Sequence, residues 1–119
     1  MRPTAIVVED EVLLRHQLME MLAEAWPQLE VVDQIGDGAQ AMASIERHAP
    51  QVLFLDIEMP GLSGIEVARR ASGRCHVVFI TAYGQHALAA FDAGAVDYLV
   101  KPLEPLRLAR ACARVRERI

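Results

Sequence analysis

At 119 residues, 53 % of them apolar and 5 % aromatic, the chain can bury one core, is too short for two ordinary domains and is too apolar for a disordered segment. Its formal charge of −4 argues against a unit that grips nucleic acid by itself, because the basic excess is local, five Arg against two Glu over residues 104–119. No run reaches signal-peptide or membrane-span length, and Cys75 and Cys112 lack metal-ligand spacing, so a cytoplasmic protein with reduced structural thiols is expected.

Short runs rich in β-branched residues alternate with stretches of helical periodicity. Thr4–Val8 reads as a strand. Val12–Ala25 reads as a helix, with Leu14, Leu18, Met21, Leu22 and Ala25 on one face and Pro27 as its stop. A strand over 29–34 and a helix over 39–47 follow, then a strand at Val52–Leu55. Residues 59–64 read as a loop, with Ser63 as a cap for a helix over 65–71. His76–Thr81 is the fourth strand, 85–93 a helix, 98–100 the fifth strand and Pro105–Arg118 the last helix. This alternation predicts one α/β domain spanning 1–119, a parallel sheet covered by helices. The first, third and fourth strands are apolar on both faces, which places them in the middle of the sheet. The helical pattern runs into Arg116-Glu117-Arg118-Ile119, so the domain is expected to have been excised from a longer chain with a C-terminal output domain.

Polar chemistry sits where the apolar runs end. Val8 is followed by Glu9-Asp10-Glu11, Leu55 by Asp56, Ile80 by Thr81, and Val100 by Lys101, the one lysine among twelve Lys and Arg residues. A composition that otherwise uses arginine has kept one compact ammonium, which meets a phosphoryl oxygen as a point charge. In an open parallel sheet, ligands bind beyond the carboxyl ends of the strands, which is where these residues fall. Glu9, Asp10 and Asp56 clustered there would repel one another, and a hard divalent cation with oxygen ligands resolves the conflict. Glu9-Asp10-Glu11 also reads as a helix cap, and Thr81 alone as an ordinary strand residue.

The ordered set Glu9-Asp10, Asp56-Ile57-Glu58-Met59-Pro60-Gly61, Thr81-Ala82 and Lys101-Pro102 resembles the receiver domain of two-component response regulators, over essentially the whole chain. Ala90-Phe91 and Ala95-Val96-Asp97-Tyr98-Leu99-Val100-Lys101-Pro102 look most like receivers of LytTR-type transcriptional regulators. The resemblance implies a flavodoxin-like (βα)5 doubly wound sheet in strand order 2-1-3-4-5. It implies Asp56 as phosphoacceptor, Lys101 and Thr81 as its catalytic partners, and Thr81 with Tyr98 as the switch pair. It implies Mg²⁺ held by Asp10, Asp56 and the Glu58 backbone carbonyl, with Glu9 acting through water, and a cis Lys101-Pro102 bond. The function it implies is a phosphorylation-dependent signalling switch, not an enzyme in its own right, which assists its own phosphorylation and slow autodephosphorylation. The expected partners are a histidine kinase, a second copy through the surface of the fourth helix, fifth strand and fifth helix, and DNA only through the missing domain. A stand-alone receiver working by phosphorelay or docking is the alternative. A dehalogenase-like phosphohydrolase is a distant one, because Glu58 stands where those enzymes use Asp and there is no room for a cap region; a flavin domain is disfavoured by the acidic mouth.

Three further readings come from side-chain placement. Tyr83, two residues after Thr81, is a candidate shield for an acyl phosphate. Arg107, Arg110, Arg114 and Arg118 form a stripe on the last helix, read either as a solvated face or as one that meets Asp92 or Asp97 of a second copy. The histidines at 16, 48, 76 and 86 read as surface or strand-edge residues.

Overall fold

Alternate residues of the central strands point to opposite faces, and both faces are apolar, so helices must cover the sheet twice. The computed structural model describes residues 2–119 and shows this arrangement. The elements are β1 (Thr4–Val8), α1 (Val12–Ala25), β2 (Glu30–Ile35), α2 (Gly38–His48), β3 (Val52–Leu55), α3 (Gly64–Arg70), β4 (His76–Thr81), a 3-10 turn (Gly84–His86), α4 (Ala87–Asp92), β5 (Asp97–Val100) and α5 (Pro105–Arg118). The sheet is parallel, in the order β2-β1-β3-β4-β5. Ala5, Val7, Phe54, Val78 and Ile80 pack against Leu18 and Leu22 of α1 and Leu108 and Val115 of α5. Ile6, Val8, Leu55 and Phe79 pack on the other side, against Ala41 and Ile45 of α2, Val67 of α3 and Ala90 of α4. Each large side chain buried in this way contributes about 1.5–3 kcal/mol before entropy is counted. The period-2 pattern thus becomes two separate half-cores.

Element boundaries differ from the sequence reading by about one residue, as frayed ends and caps allow. β2 begins and ends one residue later, at Glu30–Ile35, and β5 gains Asp97. The Asp37 side chain accepts from the Gln40 amide and so starts α2 at Gly38. Ser63 accepts from the Glu66 amide at 3.3 Å and starts α3 at Gly64, in the capping role expected of it. The fourth helix is shorter than expected, because its first turn is the 3-10 segment Gly84–His86. The Lys101-Pro102 peptide is cis. Cys75 and Cys112 are unpaired thiols, Cys112 fully buried on the inner face of α5. Among the described residues, no helix is long and apolar enough to cross a membrane.

The arginine stripe is where the structure corrects the sequence. Asp97 opens β5 and is buried, and Arg107 grips it with both guanidinium nitrogens at 2.9 and 2.6 Å. Arg114, two helical turns further along α5, adds a third contact at 3.1 Å, and the Tyr98 amide donates to Asp97 Oδ1 at 2.8 Å. Asp97 is therefore unavailable to a second copy, and Arg107 and Arg114 are not a purely solvated face; Arg110, Arg118 and Asp92 remain exposed. A buried carboxylate needs such partners, since burial alone would push its pKa up; Arg107, the Tyr98 amide and Arg114 outweigh burial and hold it below the ordinary aspartate value. Asp97→Asn should lower unfolding free energy near neutral pH by about 2 kcal/mol, read from urea denaturation. With the folded pKa depressed, the contribution is complete above about pH 4 and is lost as pH falls through the lowered folded value, so the gap between the two proteins narrows in acid.

Candidate functional site

Parallel pairing in register carries the strand ends to one edge. Val8 lies opposite Leu55, Leu55 opposite Phe79, and Thr81 opposite Val100. The residues that follow are tied down by the continuing ladder: the Glu9 amide donates to the Ile35 carbonyl, the Asp56 amide to the Val8 carbonyl, and the Lys101 amide to the Thr81 carbonyl. The side chains then converge. Lys101 Nζ donates to Glu9 Oε1 at 2.6 Å and to Asp56 Oδ2 at 3.1 Å, with all three side chains largely buried. Asp56 Oδ1 takes the Ile57 amide at 2.7 Å. Glu9 Oε2 takes the Glu11 amide at 3.1 Å, and Arg15 on α1 donates to the Glu9 carbonyl at 2.8 Å.

Charge in this cluster is out of balance. One ligand oxygen each from Glu9, Asp10 and Asp56 lies within 4.8 Å of the others, and a single ammonium faces them. Burial pushes the Glu9 carboxyl up to about 7; the Lys101 and Glu11 hydrogen bonds oppose that rise, and the Asp56 charge adds to it. Burial works against the Lys101 ammonium as well, but the Glu9 and Asp56 contacts prevail and its pKa is raised, so it stays charged. Three oxygen donors with unneutralised negative charge match the donor set of a hard divalent cation. Asp10 is exposed at the rim, whereas each carboxylate oxygen of Glu9 and of Asp56 already accepts one hydrogen bond. The helix-cap reading of the triplet does not hold in its simple form: Glu11 occupies the cap position of α1 without a side-chain cap bond, and Glu9 takes its amide instead.

Around this centre sit the remaining expected residues. Thr81 is buried at the end of β4, and its hydroxyl oxygen takes the Tyr83 amide at 3.4 Å. Tyr98 is buried against Phe79, and its hydroxyl donates to the Tyr83 carbonyl, so it does not face solvent. Glu58 is exposed at the loop after β3. That loop rests on α2, where the Gly38 amide donates to the Pro60 carbonyl, and it re-enters the fold at Gly64, whose amide donates to the Ile57 carbonyl.

The sequence reading missed three contributors. Gly64 is one: a Cβ there would stand 2.0 Å from the Asp56 carbonyl oxygen, and nothing in the Ser63-Gly64 spacing signals that approach. Arg15 is another, hidden as an ordinary polar position on α1. The third is His86, read as a surface residue; its Nε2 lies 3.5 Å from Glu58 Oε2 at the mouth of the site.

Comparison with known proteins points the same way. Residues 5–113 match the family model described as the response regulator receiver domain. An uncharacterized response regulatory protein of Vibrio cholerae is 49 % identical over 119 residues, covering 98 % of this chain and 46 % of its own length. The transcriptional regulatory protein BtsR of Escherichia coli is 36 % identical over 114 residues, covering 94 % of this chain and 47 % of its own length. The chain thus spans about half the length of these relatives. Among solved structures, the response regulatory domain of mrkE from Klebsiella pneumoniae superposes with a TM-score of 0.90 at 30 % identity, covering 97 % of this chain and 96 % of that one. The REC domain of AraT from Geobacillus stearothermophilus also reaches 0.90, at 32 % identity, covering 99 % and 95 %.

The close approach at Gly64 bears directly on the position of Asp56. Gly64→Ala forces backbone apart and should lower stability by about 3 kcal/mol. Gly84→Ala, where an added carbon meets nothing within 4 Å, should change it by less than about 0.5 kcal/mol. Chemical denaturation of both variants checks the contrast.

Proposed function

The chain belongs to the response regulator receiver domains, and from that membership we propose that it is a phosphorylation switch whose phosphoacceptor is Asp56. Receiver domains are signalling modules rather than enzymes in the usual sense. The observation that carries this reading is the single ammonium of Lys101 bridging Asp56 and Glu9 inside a carboxylate cluster. In the proposed step, an Asp56 oxygen attacks the phosphorus of a phosphohistidine on a histidine kinase. The phosphorus–nitrogen bond breaks as the phosphorus–oxygen bond forms, and the imidazole leaves with the electron pair. Lys101 moves little, because its Nζ already stands beside Asp56 and can meet an equatorial phosphoryl oxygen. Mg²⁺, when bound by Asp10, Asp56 and the Glu58 backbone carbonyl, with Glu9 through water, supplies the charge neutralisation that this approach of anions requires.

Thr81 then acts as sensor. Its hydroxyl proton is free to donate, since the oxygen is the acceptor in its bond to the Tyr83 amide. Drawing that hydroxyl toward a phosphoryl oxygen pulls on the Tyr83 segment, to which the Tyr98 hydroxyl is bonded, and so reaches the surface of α4, β5 and α5. That surface presents Leu88, Phe91, Val100 and Leu106 to solvent, which suits docking of a second copy. Transcriptional control through a LytTR-type DNA-binding domain is the proposed output, supported by the printed name of BtsR and by relatives about twice as long. Full-length protein with no attached basic domain would favour the stand-alone relay instead.

Incubation with Mg²⁺ and a small acyl-phosphate donor should add one phosphoryl mass to the chain. The adduct is expected to be absent in Asp56→Asn and in the presence of EDTA, as read by intact mass spectrometry. An adduct that persists in Asp56→Asn would overturn the assignment.

A further inference from the structure

Two loops flank the mouth of the site, and one polar contact joins them. Glu58 stands in the loop after β3, and His86 closes the 3-10 turn after β4. Their facing atoms, Oε2 and Nε2, are 3.5 Å apart. The imidazole is about one-third exposed as a side chain, at 32 %, yet Nε2 itself is sealed from solvent and has no hydrogen-bond partner among the described residues. A dry, unpaired ring nitrogen is uncommon and costly, and the group it faces is a carboxylate. The Tyr83 ring stands edge-on to the His86 ring, 6.3 Å between centroids at 74°. Tyr83 in turn is held at both backbone groups, its amide on Thr81 and its carbonyl on Tyr98.

We propose that His86 and Glu58 form a latch across the mouth that sets the lifetime of the phosphoryl group; this rests on the reading of Asp56 as phosphoacceptor. When Thr81 moves toward the phosphoryl oxygen, the Tyr83 amide draws the 84–86 turn with it. Nε2 then closes onto Oε2 as a hydrogen bond, for which the neutral tautomer with its proton on Nε2 is sufficient. The closed latch, with the Tyr83 ring edge-on to His86, narrows the path of water to phosphorus. The reaction it slows is hydrolysis: a water oxygen bonds to phosphorus, the bond to the Asp56 oxygen breaks with its pair returning to the carboxylate, and the proton leaves with inorganic phosphate or solvent. His86 is a positioning residue, since it acts through Glu58 and the loop and touches none of the reacting atoms.

The test follows loss of phosphoryl mass after acyl-phosphate loading in Mg²⁺ and removal of the donor. His86→Ala should shorten the half-life about five-fold, the share of one hydrogen bond in the barrier. His86→Gln, which keeps an N–H of similar reach, should restore most of it. Glu58→Ala should shorten it to a similar degree, and His86→Ala/Glu58→Ala no further than either alone. An unchanged half-life in His86→Ala, failure of His86→Gln to rescue, or losses that multiply in the double variant would overturn the latch while leaving Asp56 as phosphoacceptor intact. Absence of any phosphoryl adduct on the parent protein would overturn the phosphoacceptor reading and the latch with it.

Discussion

Lys101 and the two carboxylates it bridges impose the constraint that organises the rest of the molecule. Glu9 comes from the end of β1, Asp56 from β3 and Lys101 from β5, so the three meet only if the strands are parallel, in register and close in one sheet. Removing such groups from water is costly, and the contacts at 2.6 and 3.1 Å offset that cost in part. An arginine would present a flat fork at this point, whereas the ammonium serves two acceptors on different strands from one atom. The offset remains incomplete. Glu9 is still pushed up to about 7, and Asp10 adds further charge at the rim, so the site keeps an unmet demand for positive charge. That unmet demand makes the site receptive to a cation.

Rigidity around the site has a different origin. The two half-cores hold β1, β3 and β4 from both sides, so their carboxyl ends have little freedom. Gly64 brings the first turn of α3 against the Asp56 carbonyl, and Gly38 allows the loop before α3 to lie on α2. The mouth is built differently, from a short 3-10 turn with no buried residue, a six-residue helix anchored by Ala90 and an exposed stretch of loop around Glu58. Motion is therefore cheaper there, and that is where Thr81, Tyr83, Tyr98 and His86 are linked.

Charge pairing between β5 and α5 also follows from burial. Asp97 was legible as an acidic residue beside an arginine-rich helix, but the sequence could not show on which side of β5 it would fall. It turns inward, and Arg107 and Arg114, spaced two turns apart, fold down over it. The surface of α4, β5 and α5 keeps Asp92, Arg110 and Arg118 exposed beside the apolar Leu88, Phe91 and Val100. A stripe read either as a solvated face or as one that meets another copy has thus used its strongest pair internally.

The identity of the central strands and the residues at the carboxyl edge were readable in the sequence, because each depends on local patterning, whereas the strand order came from the family resemblance. Two-sided apolar runs mark buried strands, and in a parallel sheet such runs deliver whatever follows them to one edge. Asp10, Asp56, Thr81 and Lys101 were found in that way, as residues whose polarity breaks a buried run. Contacts between segments far apart in the chain were not readable, since they depend on side-chain direction and the path of loops. The pairing of His86 with Glu58, the inward turn of Asp97, the support of Glu9 by Arg15 and the need for glycine at 64 were decided by tertiary structure. In each, a residue with no periodic signal acquires its role from a neighbour that only packing brings within a few ångströms.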